Sequence, residues 1–384
     1  MSQWKKVKLG ELYEVHNGLS KGRKFFGKGF PFLSFTTVFN NFFLPDKLDS
    51  LVLSTEKERE ACSIRRGDVF ITRTSETMDE LGMSCVALKD YPNATYNGFT
   101  KRLRPLNEKV VPGFIGYYLR SPQFRGKFMA FSTMTTRASL ANDQLLSMEI
   151  ELPDNATQSK IANILFKYDS LIENYQQQIK LLEEAAQRLY KEWFVDLHFP
   201  GYENTKIVDG VPEGWEKETL GNIVPILTGK KDANFADVKG KYPFFTCAQD
   251  ILNAPSYSFD GSAVLLAGNG DFNIKLYRGK FEAYQRTYVL IPKELKYLFL
   301  IYNAIATNLD RLSSRAAGST IKFLTKGMIS SIPILIPSAL VLKEYNCLSE
   351  EIQNKIELLR LQLRLLTEAR DRLLPKLMSG EIEV

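Results

Sequence analysis

Two stretches of this chain repeat apolar residues every seven positions. Between about 158 and 195, where neither proline nor glycine occurs, one such row is followed four positions later by a second. A stripe of this length predicts a helix of about 55 Å that packs on another helix. The residues expected at this helix–helix or partner interface are Ile161, Tyr168, Tyr175, Leu182, Leu189 and Trp193 in the first stretch, and Ile352, Leu359, Leu366 and Leu373 in the second.

The chain also repeats itself on a larger scale. Trp4–Gly10 returns as Trp215–Gly221 at an offset of 211, which also carries Gly18 onto Gly229. Later matches have an offset of 184: Ile150–Pro153 returns as Ile334–Pro337, and Glu184–Leu189 returns as Glu368–Leu373. The chain is therefore one unit written twice, and because the offset falls from 211 to 184 the second copy is 27 residues shorter.

Duplication predicts how the long helices pack. One globular domain cannot cover a stripe of this length, so we expect the two helices to bury their stripes against each other. Repeated units related by a pseudo-twofold axis would make the pair antiparallel; the alternative is that each helix packs separately on its own domain. Proline 375 and glycine 380 are expected to end the second helix.

The rest of each copy reads as a mixed α/β domain. Short β runs at 69–71 and 263–266 follow glycine turns, and helices are expected at 111–121 and 297–312. The predicted fold is two α/β recognition domains separated by two long antiparallel helices that form a coiled coil. The predicted boundaries are 1–153 and 201–337 for the globular domains, and 154–200 and 338–384 for the helical segments.

Composition excludes several classes of protein. No apolar run approaches the roughly 18 residues of a membrane-spanning helix, and the first residues lack the apolar core of a signal peptide, so a cytoplasmic protein is expected. The four cysteines have no paired spacing and there are only two histidines. Neither a disulfide framework, a metal centre nor histidine-based acid–base catalysis is therefore predicted.

The net charge of +6 belongs to the globular parts. Residues 1–153 carry +6 and residues 201–337 carry +3, against −2 for 154–200 and −1 for 338–384. Two basic domains on one scaffold suit a polyanion, and loops that mix Lys, Arg, Asn, Ser and Thr can reach phosphates and base edges. The predicted DNA contacts are Lys21, Arg23, Lys24, Arg73, Thr74, Lys101, Arg102, Arg137, Lys230, Lys231, Asn269, Arg286, Arg315 and Lys322.

Motifs that would mark a reaction centre are absent from the sequence. The stretch Gly22–Gly29 has the spacing of a phosphate-binding loop, but Gly29 stands where a magnesium-binding Ser or Thr is needed, and no apolar strand leads into it. The chain also lacks the Asn-Pro-Pro-aromatic motif of adenine methyltransferases, a nucleophile elbow and a convincing nuclease cluster. We therefore predict a binding protein with no catalytic residue, metal or cofactor of its own.

Four segments resemble the specificity (S) subunits of type I restriction–modification systems. They are Trp4–Gly10, Tyr190–Asp196, the run from Gly318 to Pro337, and Glu368–Ile382, which is the most specific. The resemblance implies a non-catalytic subunit in which each globular domain reads one half of a bipartite double-stranded DNA site. It further implies that the helices set the gap between the halves and dock two modification subunits.

The same resemblance implies what the partners supply. Modification subunits would bring S-adenosylmethionine, and restriction subunits would bring the ATP- and Mg-dependent chemistry. Two alternatives stay open: the specificity subunit of a related system with restriction and methylation fused in one partner chain, and a non-catalytic coiled-coil scaffold that binds proteins.

Overall fold

The computed structural model describes residues 4–75, 80–131, 138–139, 141–318 and 322–384. The chain divides into two compact units, one formed by residues 1–174 with 363–384 and the other by residues 175–362. Each unit therefore contains part of both predicted helical stretches. The domain boundaries proposed at 153, 200 and 337 stay predictions.

The first unit is a mixed α/β structure. Its central sheet has the order β2-β9-β5-β7, beside a three-stranded sheet β4-β3-β8 and the pairs β1-β11 and β6-β10. The elements are β1 (Lys5–Lys8), α1 (Leu9–Leu12), β2 (Tyr13–Asn17), β3 (Phe26–Leu33), α2 (Phe35–Asn40), β4 (Ser50–Val52), α3 (Glu56–Ala61), β5 (Val69–Thr72), β6 (Thr74–Ser75), β7 (Ser84–Val86), β8 (Thr95–Tyr96), β9 (Thr100–Pro105), α4 (Pro112–Tyr118), α5 (Pro122–Phe131), β10 (Ala138–Ser139), α6 (Asn142–Ser147), β11 (Glu149–Leu152) and the start of α7 (Asn155–Phe194).

The second unit is built around a six-stranded sheet with the order β15-β20-β18-β19-β16-β17, accompanied by the pairs β14-β21 and β12-β13. Its elements are the rest of α7, β12 (Ile207–Val208), β13 (Val211–Pro212), β14 (Glu216–Thr219), α8 (Leu220–Ile223), β15 (Ile226–Thr228), β16 (Tyr242–Phe245), β17 (Leu252–Ala254), β18 (Phe259–Ala267), β19 (Ile274–Ala283), β20 (Thr287–Leu290), α9 (Leu298–Thr307), α10 (Leu309–Arg315), α11 (Lys326–Ser330), β21 (Pro333–Ile336) and the start of α12 (Ala339–Met378), whose residues from 363 onward belong to the first unit.

The elements predicted from local patterns are confirmed with small changes. The β runs at 69–71 and 263–266 lie in β5 and β18, and the first long helix runs from 155 to 194. The helix expected at 111–121 is the shorter α4. The helix expected at 297–312 is divided at Asn308 into α9 and α10.

Each copy of the repeat closes on itself just before its long helix. In the first unit β1 pairs antiparallel with β11, with Lys5 opposite Leu152. In the second unit β14 pairs with β21, with Glu216 opposite Ile336. Lys5 corresponds to Glu216 at the offset of 211, and Leu152 corresponds to Ile336 at the offset of 184. The two segments that repeat in the sequence are therefore the two strands that pair with each other in each copy.

The glycine shared by both copies has a steric cause. A Cβ atom at Gly18 would lie 2.2 Å from the carbonyl oxygen of Asn97, and one at Gly229 would lie 2.1 Å from that of Ala283. Both distances are far below van der Waals contact, so any larger residue would force the two backbone segments apart. Glycine is therefore needed at Gly18, where the chain passes Asn97, and at Gly229, where it passes Ala283.

The two long helices run antiparallel within each unit. In the first unit Ile161 and Leu165 share a core with Leu374 and Leu377. In the second unit the ring of Trp193 lies 5.8 Å from that of Tyr345, and Glu183 bonds Arg360 further along. The numbering rises along α7 as it falls along α12.

These helices also pack on their own domains. The two arrangements considered from the sequence, helix on helix and helix on domain, therefore occur together. A Cβ atom at Gly113 in α4 would meet the side chains of Ala162 and Phe166 in α7, which shows how closely the domain approaches the helix. Of the ten predicted interface residues, Ile161, Leu359 and Trp193 are buried and the other seven are half-buried.

One helix-stop prediction is wrong. Pro375 lies inside α12, which continues to Met378, and the chain turns only at Gly380, where φ is +72°. Proline removes the hydrogen bond to the carbonyl of Asp371, four residues earlier. Because Asp371 is exposed, water can satisfy that carbonyl, and the helix continues for one more turn. No helix among the described residues is both long and apolar enough to cross a membrane.

Candidate nucleic-acid interface

Loops from distant parts of the sequence meet in the second unit. The amide of Gly268 donates to the carbonyl of Arg286 (2.8 Å), and the amide of Leu324 donates to the carbonyl of Gly268 (2.8 Å). The amide of Gln285 donates to the carbonyl of Lys231 (2.9 Å). These backbone bonds hold the loops after β15, β18 and β19, and the loop before α11, as one surface.

Five predicted contacts lie on this surface. Arg286 and Lys322 are exposed, Asn269 is half-buried and forms a β-bridge with Phe323, and the Lys231 ammonium lies 4.4 Å from the centre of the Phe235 ring. Lys230 is exposed beside Lys231. Arg315 is also exposed, but it lies at the end of α10 and lines a separate cavity with Asn308 and Met328.

The first unit builds the same arrangement. The amide of Arg73 donates to the carbonyl of Phe99 (3.0 Å), as that of Gly268 does to Arg286. In the backbone ladder Thr74 pairs with Ser139, as Asn269 pairs with Phe323. Thr74 and Asn269, both of which are predicted DNA contacts, therefore occupy corresponding positions. The side chain of Thr74 and all of Arg137 lie outside the described residues.

Arg73 is the basic side chain at the centre of this loop arrangement in the first unit. Its Nη1 donates to Asn17 Oδ1 (3.4 Å), while its Nε is buried with no hydrogen-bond partner among the described residues. Phe99 stands beside it with 60% of its surface exposed. A half-paired guanidinium next to an exposed ring can contact both phosphate and base.

In the basic loop after Gly18, two cationic side chains are exposed to solvent and a third is held in an ion pair. Arg23 and Lys24 are exposed in a 3-10 turn (Arg23–Phe25). Lys21 instead pairs with Glu58 at 2.7 Å, and its side chain is only 15% exposed. The hydrogen bond from Lys21 lowers the pKa of the Glu58 carboxyl, so that this carboxylate stays charged and competes with phosphate for the ammonium.

Lys101 and Arg102 do not face solvent, contrary to the sequence expectation. Both lie in β9, between β2 and β5, and are 4% and 2% exposed. The Lys101 ammonium donates to Asn142 Oδ1 (2.5 Å), and burial lowers its pKa. The Arg102 guanidinium donates to the carbonyl of Ser63 (2.8 Å). A central strand covered on both faces buries its charges, and these two support the loops instead of presenting themselves to DNA.

Asn17 and Phe99 also contact Arg73, although the sequence does not predict either of them as part of this surface. Neither belongs to a basic run, but Phe99 follows Asn97-Gly98, a turn dipeptide between two β runs. That turn signal could have marked the loop tip. In the described part of the chain no group of His, Cys, Asp and Glu could hold a metal ion.

The sequence profile of the Type I restriction modification DNA specificity domain matches residues 1–184 and 212–344. The chain belongs to this family. The two matches fall on the two copies of the repeat, and specificity subunits are the non-catalytic members of their systems. The loop surfaces described above are therefore the candidate DNA-reading surfaces of a duplicated specificity domain.

Individual relatives agree with this assignment. The EcoDI specificity subunit of Escherichia coli is 40% identical over 176 residues, which is 45% of this chain and 39% of that protein. The MjaIX specificity subunit of Methanocaldococcus jannaschii is 25% identical over 99% of this chain and 94% of that protein. The S subunit from M. genitalium has the same fold, with a TM-score of 0.61 at 16% identity over 97% of this chain and 96% of that one.

Proposed function

We propose that each unit reads one half of a bipartite double-stranded DNA site through its converging loops. The observation that carries the proposal is the repetition of one loop arrangement in both units: the equivalent backbone bond has Arg73 as its donor residue in the first unit and Arg286 as its acceptor residue in the second. Amide, guanidinium and ammonium groups supply base readout and phosphate contacts. The subunit would act in the cytoplasm, where its DNA is.

The long helices would set the gap between the half-sites and dock two modification subunits, with restriction subunits joining that complex. S-adenosylmethionine, ATP and Mg would then enter with the partners. A related system with restriction and methylation fused in one partner chain would use the same surfaces.

Sequencing of methylated adenines in the source genome tests the role directly. Deleting the gene should remove one split motif, and exchanging residues 1–153 for the same domain of another specificity subunit should change one half of that motif only. If both halves changed, the two-reader proposal would be wrong. Binding to DNA that does not weaken with salt would favour the protein-binding scaffold instead.

Lys322→Ala should weaken DNA binding and reduce the dependence of affinity on salt. Loss of one phosphate contact lowers the slope of log affinity against log salt by about 1. The control is Lys217→Ala, which removes the same charge from an exposed position on β14, away from the loop surface. Fluorescence anisotropy at several salt concentrations measures both; equal slopes for the two variants would remove Lys322 from the interface.

Exposed leucines on the long helices form the docking surface in this proposal. Leu181 on α7 and Leu358 and Leu361 on α12, all in the second unit, are 44–53% exposed. Apolar side chains on an otherwise polar helix mark contact sites for other proteins. Leu358→Asp with Leu361→Asp should abolish co-purification with the modification subunit while DNA binding persists. Leu295→Asp, at a 65% exposed position before α9, is the control and should leave assembly intact.

A further inference from the structure

A cavity of about 380 Å³ lies in the second unit between the sheet, α9 and the helix pair. None of the predicted DNA contacts lines it. Four aromatic residues do: Phe245 and Tyr277 from the sheet, and Phe299 and Tyr302 from α9. The rings of Phe245 and Tyr277 are 5.1 Å apart. Aromatic walls around a cavity of this size suit a planar ligand.

The cavity exists because the second copy lacks side chains that fill the same place in the first. In the first unit Arg370 Nη1 lies 2.8 Å from Asp169 Oδ1, and the Tyr117 hydroxyl donates to Asp169 Oδ2 at 2.6 Å. At the offset of 184, Arg370 corresponds to Ala186 and Asp169 to Gln353, and both Ala186 and Gln353 line the cavity. The second copy therefore has the methyl group of Ala186 where the first copy has the guanidinium of Arg370.

The phenol is missing as well. Tyr117 is the sixth residue of α4, and the sixth residue of α9 is Asn303. Asn303 is 2% exposed, and its Nδ2 donates to the carbonyl of Phe299 (3.1 Å) and to the hydroxyl of Tyr345 (2.8 Å). Its Oδ1 is buried without a hydrogen-bond partner among the described residues. Since Asn303 lines the cavity, this oxygen can accept a hydrogen bond from an occupant.

Two cations complete the lining. The Lys275 ammonium donates to the carbonyl of Ala248 (2.8 Å) and to Asn273 Oδ1, which leaves one of its three N–H groups for an occupant. Arg360 pairs with Glu183 at 2.7 Å, with its side chain 47% exposed. Glu183 also lines the cavity, so the lining carries two cations against one carboxylate, and the remaining positive charge of Lys275 favours an occupant that carries an acidic group.

We propose that this cavity binds a planar heteroaromatic molecule with an amino donor and an acidic substituent, which is the chemistry of a mononucleotide. The base stacks against the aromatic walls, its amino group donates to Asn303 Oδ1, and its phosphate faces Lys275. A free nucleotide and a nucleotide turned out of the DNA both have this chemistry. The inference does not rest on the DNA-reading surfaces, which lie on other residues.

Isothermal titration of the full chain with AMP tests the proposal. We expect saturable one-to-one binding, weakened at least tenfold in Ala186→Arg, which places the side chain of the first copy into the cavity. Ala185→Arg adds the same charge at the adjacent exposed position and should bind AMP like the unchanged chain. The double variant Ala186→Arg/Gln353→Asp restores the ion pair of the first copy, so its loss of AMP binding cannot be assigned to an unpaired charge.

Two further arms identify the source of the ligand. If AMP still binds when the protein is saturated with its duplex DNA, the natural occupant is a free nucleotide; if DNA displaces AMP from a cavity that Ala186→Arg closes, it is a nucleotide of the DNA. No saturable binding at about 1 mM AMP, a weak affinity by any standard, would overturn the proposal. Equal AMP affinity in a folded Ala186→Arg variant would overturn it too, and DNA affinity measured separately leaves the recognition proposal unaffected by either result.

Discussion

Removing one heptad from each long helix should shorten the gap in the DNA site by about 3 base pairs. Residues 175–181 and 359–365 correspond to each other at the offset of 184, so deleting both keeps the repeat intact. Seven residues of helix are about 10 Å, and base pairs are about 3.4 Å apart. Because seven residues are close to two full turns, the apolar stripe stays in register, with about 20° of drift.

Selection of bound duplexes from a randomised DNA pool by the purified deletion variant measures the gap, because the deletion also removes Leu181 and Leu361 of the proposed docking surface and methylation is therefore not a usable readout. Both half-site sequences should persist, since the loops that would read them lie outside the deleted segments. A matched variant with Gln176, Gln177, Lys180 and Arg364, which are exposed polar positions of the same two heptads, changed to alanine keeps the length and should keep the original gap. An unaltered gap in an active deletion variant would contradict the role of the helices as a spacer.

Arg370→Ala should destabilise the first unit by roughly 2–3 kcal/mol, because it leaves Asp169 charged without its partner. The two side chains are 18% and 19% exposed, so water can replace only part of the lost interaction. Tyr117 donates to the same carboxylate, and Phe42 lies 6.0 Å from the guanidinium. Removing the guanidinium therefore disturbs the surroundings of both Tyr117 and Phe42. Urea unfolding followed by circular dichroism measures the loss in the free energy of unfolding.

The control lies two residues further along the same helix. Arg372 is 83% exposed and meets Glu368 only at 4.0 Å, and exposed pairs of this kind contribute about 0–1 kcal/mol. Arg372→Ala should therefore unfold at nearly the same urea concentration as the unchanged chain. If Arg370→Ala matched it, the half-buried ion pair would not stabilise the first unit.

The sequence was sufficient wherever a signal is periodic or repeated. Heptad spacing identified both long helices, because a helix that buries one stripe must repeat it along its whole length. Duplication predicted the antiparallel pairing, and the same matches turned out to be β1 with β11 and β14 with β21. The offset of 211 makes Gly18 and Gly229 equivalent, whereas the steric requirement for glycine at both positions comes from the tertiary structure.

Only the tertiary structure decided which side chains of a strand are buried and which face solvent. Lys101 and Arg102 read as a basic run, yet both are buried because β9 is central and covered on both faces. Arg73 and Phe99 meet through a single backbone bond between loops far apart in the chain. The cavity beside Ala186 depends on three substitutions between copies that acquire meaning only when α4 and α9 are seen in the same place. Local periodicity thus determined the helices and the duplication, whereas exposure, loop convergence and packing defects depend on long-range contacts that no short sequence pattern encodes.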